Sequence, residues 1–91
     1  MKPRDKNELG QRLKRIAGQV TGVQRMLDED RELGEVITQI SAVRAALGSV
    51  SNIVLGSHVE ERVSEVLASQ SERERRELLG ELVRLFEKRD A

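Results

Sequence analysis

The chain has 91 residues, enough for one domain but only a thin core, so any very long element in it must lean on a second chain. Apolar residues make up 37%, almost all Leu, Val, Ile and Ala with Phe86 the single aromatic, and charged residues make up 35%; this suits helices laid side by side and excludes an aromatic-rich β-sandwich. With no cysteine, disulfides, thiolate metal ligands, cysteine nucleophiles and thiol redox sensing are all excluded.

Sixteen Lys+Arg balance sixteen Asp+Glu, which argues against a uniformly basic nucleic-acid binder. The balance hides an asymmetry: residues 1–25 hold seven basic side chains against Asp5 and Glu8, a net of +5, and the remainder carries −5. One end of the molecule can meet phosphate while the other repels it. No run approaches the ~18 apolar residues of a membrane span, and no apolar segment follows the basic N-terminus. The expected partners therefore include no membrane, and the expected location is the cytoplasm.

Residues 1–6 form a polar lead, read as a flexible basic arm with Lys2, Arg4 and Lys6. Apolar residues then fall at Leu9, Leu13, Ile16, Val20, Val23 and Leu27, a spacing of 4, 3, 4, 3, 4 that predicts a packed first helix over about residues 7–29. Its opposite face carries Arg12, Arg15, Gly18, Gln19, Gly22 and Arg25. The two glycines let another backbone come close. Asp28-Glu29-Asp30 suits a helix C-terminus poorly, because the dipole there disfavours anions, and so marks a stop.

A long second helix is predicted over about residues 32–68, with Val36, Ile40, Val43, Leu47, Val50 and Val54 repeating at 4, 3, 4, 3, 4. Beside this seam runs a face of Ala42, Ala45, Ala46 and Ser49, with Ile53 beyond. Two packing faces imply neighbours on both sides. Such a helix spans ~55 Å, and whatever overhangs the first helix must be covered by another subunit or fray. Gly56-Ser57-His58 is its weak point: a mid-helix glycine costs ~1 kcal/mol against alanine, and Ser57 with Glu60 reads as a capping box. A kink and an unbroken helix both stay open there. Ser69 with Glu72 and Ser71 with Glu74 give two overlapping capping boxes, the mark of a fresh N-terminus. A third helix follows over about residues 71–88, with Leu78, Leu79, Leu82, Val83, Leu85 and Phe86 on one side. The predicted fold is an all-α, single-domain, three-helix protomer.

Catalysis finds little footing. The single histidine has no cysteine partner, the carboxylates are scattered, and no glycine-rich strand-to-helix loop is present, so an enzyme is not expected. His58 continues the apolar stripe of the second helix. Its ordinary reading is structural; the functional one is a ligand or titrating group in an intersubunit pocket. It is also the only metal candidate. Glu60, Glu61 and Glu65 complete no recognisable set with it, so a metal would need donors from a second chain or the N-terminal amine. No cofactor is expected.

The plain reading of basic residues on a helix is solvation. Their one-sided arrangement points further: Arg12 and Arg15 lie one turn apart with Lys14 on the flank, fed by the Lys2 and Arg4 arm. A symmetric tetramer multiplies this patch about fourfold, which supplies the several phosphate contacts that duplex binding needs. No aromatic interleaves the basic residues, which argues against stacking on single strands. Arg73, Arg75 and Arg76 alternate with Glu72, Glu74 and Glu77 and read as helix surface.

The run from Arg12 to Met26, RLKRIAGQVTGVQRM, resembles the first-helix signature of the CsoR/RcnR repressors, and Thr38 to Leu47, TQISAVRAAL, resembles their second. The similarity is clear over about residues 8–63 and loose over the third helix. It implies three-helix chains that pair into an antiparallel four-helix bundle, assemble into a flat tetramer, and bind operator DNA through basic residues until a metal or reactive small molecule releases them. Carried over by position, Arg12 matches the family's DNA-contacting arginine, with Lys14, Arg15 and Gln19 beside it. A further basic contact of some members falls near residues 49–52, where this chain has no positive charge.

The sensing position departs from the pattern more severely. The resemblance puts the copper sensors' first cysteine at Leu33, their histidine at His58 and their second cysteine at Arg62; a tyrosine often found before the first cysteine is Glu32 here. Only His58 survives. Arg62 is expected to pair with Glu32 or Glu35 across a dimer, replacing metal charge by a salt bridge. The expected function is a DNA-binding repressor that responds to another small molecule or ion, or to none. The rival readings are a helical interaction protein that has lost DNA binding, and a Zn or Ni sensor that uses His58 with carboxylates.

Overall fold

Pro3 opens the first helix, earlier than the predicted start at Asn7. In the computed structural model, which describes residues 1–69 and 71–89, α1 spans Pro3–Asp28 with an extended Lys2 before it. Proline suits this place, since its fixed φ is already helical and its missing N–H lies in the turn that has no partner. The basic lead is thus largely the first turn of α1. The helix ends where the acidic run predicts a stop: Asp30 takes φ 53°, its N–H donates to the Leu27 carbonyl (3.2 Å), and the Arg31 N–H reaches back to Met26 (3.0 Å). That pair of bonds is a Schellman closure, here built on aspartate where glycine is usual.

The second helix, α2, spans Leu33–Ala68 and is unbroken through Gly56. The weak point holds because residues beside it are tied from both sides. Ser57 Oγ donates to Asp5 of α1 (3.4 Å) rather than capping a new helix, and His58 meets Glu81 of the third helix (2.6 Å). Gln70, within the predicted junction, lies outside the described residues. The third helix, α3, spans Glu72–Arg89, and Ser71 Oγ accepts the Glu74 N–H (3.3 Å), so the second of the two capping boxes supplies the N-cap.

Among the described residues α1 packs on α2, α2 packs on α3, and α1 does not touch α3. The Cα trace measures 60 × 27 × 12 Å, which is one helix deep. A single layer splits every predicted seam. On α1, Leu9 and Ile16 are buried and Val23 is half-buried, whereas Leu13, Val20 and Leu27 stay exposed. On α3, Leu78 is buried and Leu82 and Leu85 are half-buried against α2, while Leu79, Val83 and Phe86 face outward, so its apolar residues occupy two faces. On α2, Leu33, Ile37, Ile40, Leu47, Val54 and Leu67 are exposed. The chain presents 7077 Å² of surface where a folded monomer of 10.3 kDa shows about 5,400 Å², an excess of roughly 1,700 Å². Length and composition alone would let α2 cross a membrane, with mean hydropathy 1.3 over an 18-residue stretch, which a count of unbroken apolar runs does not register.

A Cβ at Gly56 would meet nothing within 4 Å. Gly56→Ala is therefore expected to stabilise the fold by about 0.5–1 kcal/mol, read as a higher urea midpoint at fixed protein concentration. A lower midpoint would show that the space is needed.

Candidate nucleic-acid interface and effector position

On the flank of α1 that borders α2, Arg12, Arg15 and Gln19 line a cleft of about 150 Å³ floored by Ile16 and by Ala46 of α2. The spacing explains the grouping: three, four and seven residues along a helix return to one side. The small Ala46 lets the long side chains lie over the helix junction. Arg12 is half-buried, and its Nε and Nη2 both donate to Glu8 Oε1 (3.3 and 3.2 Å), one turn away. Arg15 is exposed and has no carboxylate partner among the described residues. Lys14 does not join this cleft, since it sits about 200° round the helix from Arg12. The lead residues are engaged elsewhere: Lys2 Nζ lies 3.4 Å from Glu60, and Arg4 lies 3.8 Å from Asp5.

The residues at the expected sensing position fall into two groups. His58 and Arg62 sit one turn apart on α2, facing α3. Leu33, Glu32 and Glu35 sit at the opposite end, about 38 Å away along the axis from His58 at 1.5 Å per residue. No single chain can bring the two groups together. Leu33 is 72% exposed, and Glu32 occupies the N-cap place of α2 without a side-chain cap bond. Glu35 is held by Arg31 one turn back (2.9 Å).

Within its own chain Arg62 is already paired, with Glu81 and Glu65. Its Nε donates to Glu81 Oε2 (3.0 Å), its Nη1 donates to Glu65 Oε2 (2.5 Å), and the other oxygen of Glu81 meets His58 Nε2 (2.6 Å). Glu65 takes part because it lies three residues on, and Glu81 because α3 folds back over α2. The hydrogen bonds from His58 and then Arg62 hold the Glu81 carboxyl below its ordinary range, while the bonds to Glu81 and Glu65 hold the Arg62 guanidinium more firmly protonated. An ionised Glu81 can only accept, so His58 Nε2 carries the proton in their bond. Glu61 next to this network meets the Met1 amino group, whose hydrogen bond lowers its carboxyl too.

Glu81 escaped the sequence reading. Its signal was there: an acid between Leu78, Leu82 and Leu85, on the stripe that α3 turns toward α2.

An all-helical protomer with a cationic cleft on one flank, and no catalytic constellation among its described residues, has the build of a regulator. The chain belongs to the metal-sensitive transcriptional repressor family, whose pattern matches residues 5–88. It is 35% identical over 85 residues to the copper-sensing transcriptional repressor CsoR of Bacillus subtilis strain 168, covering 93% of this chain and 81% of that one. To the transcriptional repressor RcnR of Salmonella paratyphi B it is 38% identical over 74 residues, covering 81% and 78%. Among solved structures it is similar to the nickel-responsive transcriptional regulator InrS, with a TM-score of 0.74 and 38% identity over 87% of this chain and 90% of that one. The family consists of regulators, not enzymes.

The donor set does not fit cuprous ion, the metal that the name of the Bacillus subtilis relative points to. Cuprous ion wants thiolates, and the chain has none. Among the described residues no three His, Cys, Asp or Glu side chains are grouped to hold an ion. Beside His58 stands a guanidinium, which has donors only.

Because the folded Glu81 titrates below its ordinary value near 4.5, its ionised form adds stability above that pH, and the contribution is lost as pH falls through the lowered folded value. Denaturation of wild type and Glu81→Gln should therefore show wild type the more stable near neutrality, with the gap closing below about pH 4.5. A gap that persists into strong acid would contradict the pairing.

Proposed function

We propose that this protein is a cytoplasmic transcriptional repressor that lies on double-stranded operator DNA as a homodimer or homotetramer, using the Arg12, Arg15 and Gln19 cleft of α1. The observation that carries the reading is the convergence of two guanidinium groups and an amide on one flank, above a small-residue floor, in a family of transcriptional repressors. Arg15 offers an uncommitted charge. Arg12 exchanges Glu8 for phosphate at small cost, since exposed pairs one turn apart are worth only a few tenths of a kcal/mol. Lys14, on the outer face of α1, and Lys2 and Arg4, at its first turn, add long-range attraction to the duplex.

Assembly is argued from area. The excess of roughly 1,700 Å² per chain is what one obligate interface or two of standard size, each about 800 Å² per partner, would remove from water. Leu13, Val20 and Leu27 recur every seventh residue and mark the stripe of α1 that a second copy covers. Effector chemistry follows from the composition: Cu(I) and thiol-reactive compounds are excluded as inducers.

Gel-shift titrations on the duplex upstream of the protein's own gene test the first part. Affinity should fall steeply with salt, and Arg15→Ala should weaken binding and reduce the log–log salt slope by about 1 for each phosphate that is no longer neutralised. Unchanged affinity and slope would reject the cleft as the contact surface. For assembly, Val20→Glu should shift the species seen by sedimentation to lower mass, because a charge in an apolar seam cannot be paired. A wild-type monomer at micromolar concentration would defeat this part outright.

A further inference from the structure

The network around Glu81 has features of a tie built to persist. Glu81 is the acid that α3 places on its α2-facing stripe, between Leu78 and Leu82, and its side chain is only 28% exposed. Both of its oxygens are engaged, one by His58 and one by Arg62, and the far edge of Arg62 is engaged by Glu65. The Arg62 side chain is 29% exposed against 64% for Glu65, so the Glu81 arm is sheltered and the Glu65 arm is largely solvated. A separate polar bond between α2 and α3 runs from Arg89 Nη1 to Asn52 (3.1 Å), with Arg89 also 5.4 Å above the Phe86 ring. An incoming metal ion would have to displace a fixed positive charge at Arg62 and take both Glu81 oxygens away from their donors.

We infer that the His58–Glu81–Arg62 network is a built-in tie that holds α3 on α2 in place of a metal effector, with Glu81 as the positioning residue, so that DNA binding by this protein does not respond to metal ions. A ligand shifts a conformational equilibrium only through its different affinity for the two states. A guanidinium carried by α2 itself is always present at one per chain, so the docking of α3 is set by the sequence and not by the concentration of an ion. Only the clause about DNA rests on the reading proposed above.

The full-length protein is tested in two ways. Hydrogen–deuterium exchange compares wild type, Glu81→Gln and Glu65→Gln, with circular dichroism confirming equal helix content. Backbone amides of α3 are expected to exchange roughly two- to fivefold faster in Glu81→Gln, while Glu65→Gln stays close to wild type. Equal exchange in wild type and Glu81→Gln overturns the tie. Separately, wild type is titrated with Zn(II), Ni(II), Co(II) and, under reducing conditions, Cu(I), by calorimetry and by affinity for the duplex upstream of its own gene. No stoichiometric uptake is expected, with affinity constant within about twofold. An ion that binds at one per chain and changes duplex affinity about tenfold or more overturns metal independence and leaves the DNA-binding reading standing. Failure to bind the duplex at all removes that reading, while exchange and calorimetry still decide the tie.

Discussion

Because the three helices lie side by side in a layer 12 Å deep, only the edges along which α2 touches α1 and α3 are covered by the chain itself. Close packing needs atoms on all sides of a side chain, and one layer supplies them along two lines only. Few residues meet that condition: Leu9, Ile16, Val36, Val66 and Leu78 are the buried apolar set. On α2, Leu33, Ile37, Ile40, Leu47, Val54 and Leu67 stay on open surface, the area that the proposed assembly would cover.

The same flatness sorts the charges. Ion pairs one turn apart along the chain, such as Arg12 with Glu8 and Arg31 with Glu35, orient side chains but hold nothing together across the fold. Ties across the fold cluster at one end: Met1 with Glu61, Asp5 with Ser57, Lys2 with Glu60, and Glu81 with His58 and Arg62, with Arg89 to Asn52 about one turn before Gly56. They gather around the stretch of α2 that follows Gly56. The helix stays whole through a glycine because its neighbours on both sides are anchored there.

Much of the architecture could be read without coordinates. Periodicity placed three helices, the acidic run located the stop at Asp28, and Ser71 with Glu74 located the start of α3, because these signals depend on residues within a turn or two of one another. The absence of cysteine settled what chemistry was impossible. Local patterns also misled where a local cue had a distant competitor. The basic lead was read as an arm, yet Pro3 and contacts to α2 make it helix; Gly56-Ser57 was read as a possible break, yet Asp5 claims the serine. Apolar seams on α1 and α3 read as single faces, because spacing tells which residues lie near one another on a helix but not which of them a neighbour covers.

The sequence by itself determined the helices, their order, the cationic first third and the absence of thiolate ligands, since composition and short-range spacing carry those properties. Tertiary structure decided which cations share a cleft and which carboxylate meets Arg62. Within one chain Glu32 and Glu35 sit at the far end of α2, whereas Glu81, 19 residues on in sequence, is returned to Arg62 by the turn into α3. Electrostatic partnership falls off with distance in space, and only the path of the chain converts sequence separation into that distance.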